Sequence, residues 1–276
     1  MSSLVELEHA TKRFPDGSGG LHTAVSDITL NIEEGTFVAI VGPTGCGKST
    51  TLSLVSGLER PSGGDVRVDG APVDGIPEGV GFMFQTDAMM PWRTVLGNVC
   101  AGPLWRGTPK ARARELAQQW IERVGLAGFE DYYMHQLSGG MRKRVALAQT
   151  LVNEPRILLM DEPFSALDVQ TRALMQTELL TLWSGTGAAV VFVTHDLEEA
   201  IALADQVVVM TASPARVKDV FAIELERPRN VEEIRMTPEF TDIYSRVWRS
   251  LSSEVETARR QGRPAPAATE GATSAA

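Results

Sequence analysis

Apolar and polar residues alternate over 4–8 and again over 28–32, the period-two pattern of strands with one face in a core. Between them, Pro15-Asp16-Gly17-Ser18-Gly19-Gly20 reads as a turn or flexible loop. Phe37-Val38-Ala39-Ile40-Val41 is continuously apolar and predicts a strand covered on both faces, with a helix over 48–56 behind it. Val66-Arg67-Val68 and Val80-Gly81-Phe82-Met83-Phe84 predict two more strands, the second stopping at Gln85. From about 88 to 154 the strand pattern ceases. Helices are predicted there over 110–124 and 139–152, with Ser138 as N-cap of the second, so this stretch reads as a helical insertion. Strands resume at 157–160, 189–193 and 207–210, and Asp196-Leu197-Glu198-Glu199 opens a helix as an acidic form of the capping box.

Thr237 and Pro238 form a good helix start, and Phe240, Ile243, Tyr244, Val247, Trp248, Leu251 and Val255 recur at helical spacing behind them. That helix mixes acidic and basic residues, so its apolar stripe is expected against its own domain or a neighbouring subunit rather than lipid. Beyond Gly262 the chain is Ala, Pro, Thr and Gly, which reads as a disordered tail. The expected division is a domain over 1–236 with the insertion at about 88–154, an amphipathic helix over 237–261 and a tail over 262–276.

The chain has 276 residues, 43% of them hydrophobic, enough for a full core and one inserted subdomain. A net charge of -9 argues against a dedicated nucleic-acid binder. No apolar run approaches the roughly 20 residues that span a bilayer, and the first residues show no secretory signal. Two cysteines, Cys46 and Cys100, make no disulfide framework and suit a reducing cytoplasm. If the protein works in transport, another chain must supply the membrane path.

Gly42-Pro43-Thr44-Gly45-Cys46-Gly47-Lys48-Ser49-Thr50 is a phosphate-binding loop between a buried strand and a helix. Its glycines let backbone N–H groups turn inward to cradle oxygens, and the helix adds its positive end. Lys48 is expected on the β- and γ-phosphates, Ser49 on Mg²⁺, and Thr50 on the α-phosphate. Cys46 is either a thiol tuned by the helix end or, the favoured reading, a small residue fitting the loop. Asp161 and Glu162 end an apolar strand, where ligands of open α/β sheets bind. Adjacent carboxylates divide into a Mg²⁺ partner, Asp161, and a base for the attacking water, Glu162. His195 closes another strand; a lone His is often structural, but a neutral imidazole there would hold Glu162 and the water in line.

Leu137-Ser138-Gly139-Gly140-Met141-Arg142, set between the phosphate loop and the acidic strand, resembles the signature of ABC transporter ATPase subunits, and the resemblance spans roughly 4–230. It implies an α/β fold, a P-loop core with an antiparallel β subdomain and an inserted α-helical subdomain. It also implies a head-to-tail dimer in which Ser138, Gly139 and Gly140 of one subunit close over the ATP of the other. In this resemblance His195 is the switch histidine, and Gln85 contacts Mg²⁺ or the attacking water. Ser165-Ala166-Leu167-Asp168 is the loop that crosses the dimer interface. Phe14 is the candidate for stacking on adenine, with core packing nearly as good an account. Met141 in place of Gln, Arg142-Lys143-Arg144 and Ala148-Gln149-Thr150 depart from the commonest signature but leave Ser138 and both glycines intact.

Pro91-Trp92-Arg93-Thr94-Val95 after Gln85 is similar to the ATPases of nitrate, sulfonate and taurine importers, as are Asp168-Val169-Gln170-Thr171-Arg172 and Arg227-Pro228-Arg229. For Met89, Met90 and Trp92, core packing and a surface for a permease helix are equally good readings. The resemblance implies transmembrane permease subunits as partners, a solute-binding protein acting indirectly, no nucleic acid, and a place on the cytoplasmic face of the membrane. The rivals are an ABC ATPase of DNA repair or translation, a P-loop small-molecule kinase, and a catalytically dead regulatory subunit.

Overall fold

The computed structural model describes residues 3–17, 19–86 and 88–261. Its strands are β1 (Ser3–Pro15), β2 (Leu21–Glu33), β3 (Phe37–Val41), β4 (Gly63–Val68), β5 (Ala71–Pro72), β6 (Val80–Met83), β7 (Ile157–Asp161), β8 (Ala189–Thr194), β9 (Gln206–Met210) and β10 (Val217–Ala222). Its helices are α1 (Lys48–Val55), α2 (Val95–Val99), α3 (Ala101–Trp105), α4 (Lys110–Arg123), α5 (Gly139–Leu151), α6 (Val169–Trp183), α7 (Leu197–Leu203), α8 (Val231–Ile234) and α9 (Pro238–Gln261).

One sheet is antiparallel, in the order β2-β1-β4-β5, and the other runs β10-β9-β3-β8-β7-β6. In the second sheet β9, β3, β8, β7 and β6 are parallel, and β10 adds antiparallel at the edge. The reason β3 carries no polar residue is visible in its packing. Phe37, Ala39 and Val41 enter a core shared with α4, α5, α6, α7 and α9, whereas Val38 and Ile40 enter a second core under β1, β2 and α1. Strand β8 divides the same way, Val190 and Phe192 to one side, Val191 and Val193 to the other. The first core centres on Phe37, which meets the Trp183 ring edge-on at 5.4 Å and Phe192 at 5.7 Å.

Several elements exceed the sequence expectation. Strands β1 and β2 are far longer than 4–8 and 28–32 and pair along their length through irregular register, with His9 and Asp27 at φ +53° and +57°. Helices α2, α3, α6 and α8 and strands β5 and β10 were not foreseen. The 80–84 run ends a residue early at Met83, and the Phe84 ring stacks back on Phe82 at 4.2 Å. Only half of the box at Asp196 forms. Asp196 Oδ1 accepts the Glu199 N–H at 3.1 Å, but the Glu199 carboxylate is buried, accepting from Thr194 Oγ1 and from Gln176 Nε2. Met89 is buried, while Trp92 is exposed.

Helix α9 starts as expected, with Thr237 Oγ1 accepting the Phe240 N–H. Phe240, Ile243, Val247 and Leu251 enter the first core against α7 and β9, so the stripe packs on its own chain. The expected tail over 262–276 lies outside the described residues. The Arg227-Pro228-Arg229 stretch has a structural task here. Buried Arg229 donates to the carbonyls of Ala202, Ala204 and Leu225, tying α7 to the segment after β10. Burial, with Arg227 nearby, pulls its pKa down to about 10. Arg229→Ala leaves those carbonyls without their donor and should cost about 2–4 kcal/mol, read from the urea midpoint.

Candidate active site

Four parallel strands deliver their C-terminal ends to one edge of the sheet: β3 to the phosphate loop, β7 to Asp161 and Glu162, β8 to His195, and β6 toward Gln85. There they border a cleft of about 560 Å³ lined by Phe14, His22, Ala24, Thr44, Gly45, Gly47, Lys48, Ser49, Thr50, Gln85, Glu162 and His195. Lys48 Nζ is buried and donates to the carbonyls of Gly42 at 2.9 Å and Pro43 at 3.1 Å, which arches the loop around it. Gly47, at φ +127°, has no room for a side chain, since a Cβ would lie 2.6 Å from the Ala24 carbonyl oxygen. Behind the loop, Cys46 fills the space beside Gly42, and burial pushes its thiol pKa up, so it packs rather than reacts.

Glu162 is the hub. Its Oε2 accepts from Gln85 Nε2 at 3.3 Å and lies 3.0 Å from His195 Nδ1. Its backbone sits at φ +44°, with its N–H donated to the Val193 carbonyl at 2.9 Å. A left-handed glutamate costs on the order of 1–3 kcal/mol, and the neighbouring strand holds it there. The adjacent Asp161 Oδ1 accepts from Ser49 Oγ at 3.0 Å. Burial raises the Asp161 pKa, the charge of Glu162 adds to the rise, and Ser49 and Lys48 oppose it. A carboxylate in that state gains from a nearby cation.

Ser49 and Asp161 offer hydroxyl and carboxylate oxygen, and Gln85 an amide oxygen, hard donors that suit Mg²⁺. Among the described residues no group of three or more His, Cys, Asp or Glu could hold a metal. Bound there, Mg²⁺ would supply charge stabilisation at the phosphates.

The signature and Asp168 are not part of this cleft. Ser138 Oγ caps α5 by accepting the Met141 N–H at 3.3 Å. Gly140 packs on α6 so closely that a Cβ would lie 2.8 Å from Thr171 Cγ2. Asp168 caps α6 through the Thr171 N–H at 3.0 Å, and this bond with the one from Thr171 Oγ1 holds its carboxyl below the usual range. Phe14 does reach the cleft, with Lys12 Nζ 5.0 Å from its ring centre. His22 and Ala24 line it too and were missed; His22 pairs with Phe14 across the β1–β2 hairpin, a register no local pattern carries.

Fold and site together define a P-loop nucleotide-binding ATPase, and comparison with known proteins narrows the class. The family described as ABC transporter matches residues 25–165. An uncharacterised ABC transporter ATP-binding protein of Methanocaldococcus jannaschii is 46% identical over 255 residues, 92% of this chain and 94% of that one. The taurine import ATP-binding protein TauB of Burkholderia pseudomallei is 40% identical over 256 residues, 91% and 96% of the two chains. A solved dimeric ATP-binding cassette in a post-hydrolysis state with ADP and Pi superposes with TM-score 0.71 at 30% identity, covering 80% of this chain and 100% of that one. This chain belongs to the ABC transporter ATPase family.

Gly47→Ala forces the phosphate loop away from β2. Equilibrium binding should show ATP affinity reduced by about tenfold or more, which is about 1.4 kcal/mol.

Proposed function

We propose that this chain is the ATP-hydrolysing subunit of an importer for a small organic or inorganic anion of the taurine, sulfonate or nitrate kind. The observation that carries the chemistry is the shared oxygen of Glu162, ordered by both Gln85 and His195 at the mouth of the phosphate loop. In this reading Glu162 accepts the proton of the attacking water as its oxygen bonds to the γ-phosphorus. The bond from that phosphorus to the β–γ bridging oxygen breaks, leaving ADP and phosphate. His195 and Gln85 keep carboxylate and water in line. Lys48 and the backbone N–H groups of 44–50 hold the phosphates, Ser49 and Asp161 hold Mg²⁺, and Phe14 packs on the base.

Ser138, Gly139 and Gly140 lie outside the cleft, so their anion-binding helix end serves a nucleotide held by a second copy of the chain, with Asp168 at the seam. Exposed Val169 and Leu174 beside the signature support a surface buried on pairing. Among the described residues no helix is long and apolar enough to cross a membrane, so the solute path belongs to a permease. The groove between β6, α3 and α5, rimmed by exposed Phe84 and Trp105, supports a permease segment docking there. The likeness to TauB supports the solute class. The domain boundary at 236 and the insertion at 88–154 belong to the same reading.

Glu162→Gln should reduce steady-state hydrolysis by about a hundredfold or more while ATP still binds. Lys48→Ala should lose tight binding, and Ser138→Arg should bind ATP yet not hydrolyse it; equal loss of affinity in both would rule out a site shared between copies. For the transport role, the tagged chain is purified from detergent-solubilised native membranes and its partners identified by mass spectrometry. A multi-span permease is expected, and recovery of nucleic-acid complexes alone would move the ATPase outside transport.

A further inference from the structure

Helix α9 stands apart from the chemistry above, yet it reaches the back of the cleft through one loop. Residues 211–216 join β9 to β10. On its inner side this loop touches two walls of the cleft. Ala215 donates its N–H to the Ala24 carbonyl at 3.0 Å, and its own carbonyl accepts the Ser26 N–H at 2.9 Å. A Cβ on Gly47 would lie 2.9 Å from the Ala215 Cβ, so the phosphate loop rests on Ala215 with no slack. Ala24 and Gly47 both line the cleft.

On its outer side α9 grips the same loop. Glu254 Oε2 accepts the Ala212 N–H at 3.0 Å, and Oε1 accepts from Lys218 Nζ at 2.7 Å. Lys218, on β10, also donates to the Ser250 carbonyl at 2.9 Å and to Ser253 Oγ at 2.6 Å. Gln261 Nε2 donates to the Ser213 carbonyl at 3.3 Å. The Glu254 side chain is only 15% exposed, so its bonds are shielded from water and stronger for it. A displaced Ala215 has only close-packed neighbours to move into, and the nearest are Ala24 and Gly47.

We propose that Glu254 is a positioning residue for nucleotide: by clamping the 211–216 loop from α9 it fixes Ala24 and Gly47, so that the C-terminal helix sets the ATP affinity of the chain. The inference rests on reading the cleft as the ATP site. Its test is equilibrium binding of a fluorescent ATP analogue to the full chain. Glu254→Ala should weaken binding by about fivefold or more, the usual scale of coupling between sites. Glu254→Gln, whose one amide oxygen can accept from Ala212 but not from Lys218 as well, should fall between wild type and Glu254→Ala. Leu251→Ala, on the same helix but packed into the core that Ala215 does not enter, should lower the melting temperature and leave affinity alone. Unchanged affinity in folded Glu254→Ala, or an equal loss in Leu251→Ala, would overturn the proposal. Should Glu254→Ala not fold, Lys218→Met carries the test, with weaker binding expected and unchanged affinity fatal. A wild-type chain that binds no ATP analogue would sink the nucleotide reading itself.

Discussion

Strand β3 is buried on both faces, and every group of the cleft is placed relative to it. Its alternate residues fill two cores, one with the helices and one with the antiparallel sheet, so it can neither slide nor tilt without opening one of them. Strands β8 and β9 flank it directly, and β7 lies beyond β8. Side chains at the ends of these strands therefore inherit fixed separations. The 3.0 Å between Ser49 Oγ and Asp161 Oδ1, 112 residues apart in sequence, is a consequence of strand register rather than of local chain geometry.

That rigidity allows the site to hold groups that would relax in a softer frame. Glu162 sits in a left-handed conformation beside a carboxylate whose pKa is raised by burial. Neither is favourable alone. The first persists because the Val193 carbonyl pins the Glu162 backbone while Gln85 and His195 hold its carboxylate, and the second because Ser49 and Lys48 oppose the rise. A cation bound at Asp161 would relieve the repulsion that burial worsens. Strain and desolvation meet at this strand end, and the two cores supply the stability that tolerates them.

The parts legible in the sequence are those fixed by neighbours along the chain. The phosphate loop, the acidic strand end and the Ser138 cap each sit within a few residues of their own cause. Helix α6 was not legible because its apolar residues run around the whole cylinder. Ala173, Met175, Leu179 and Leu180 are buried, while Val169 and Leu174 face outward, so no periodic stripe marks it. Strand β10 is an edge with Val220 exposed and Lys218 and Asp219 turned to α9, which leaves no alternation to read. His22 and Ala24 reach the cleft only through the pairing of β1 with β2, and that register is set by irregularities near His9 and Asp27. The half-formed box at Asp196 failed for a similar reason: Glu199 finds a better partner in Thr194, next to His195, than in the helix end.

The same division between local and distant causes bears on how hydrolysis is controlled. Within one chain the Ser138 helix end and the phosphate loop are separate, and Gly140 is pressed against Thr171 rather than toward the cleft. The two meet only across copies in the proposed assembly, so the free energy of nucleotide binding can be spent on closing that assembly. Arg172 links the regions inside each copy, donating to the Leu167 carbonyl at 2.9 Å and to Asp196, the residue after His195, at 3.4 Å. In the proposed assembly, a partner that displaces the 165–168 loop would pull on the turn that carries His195. Arg172, on α6, is then a side chain through which closure between copies would reach the Glu162 hub, since it holds the 165–168 loop at one end and the turn after His195 at the other.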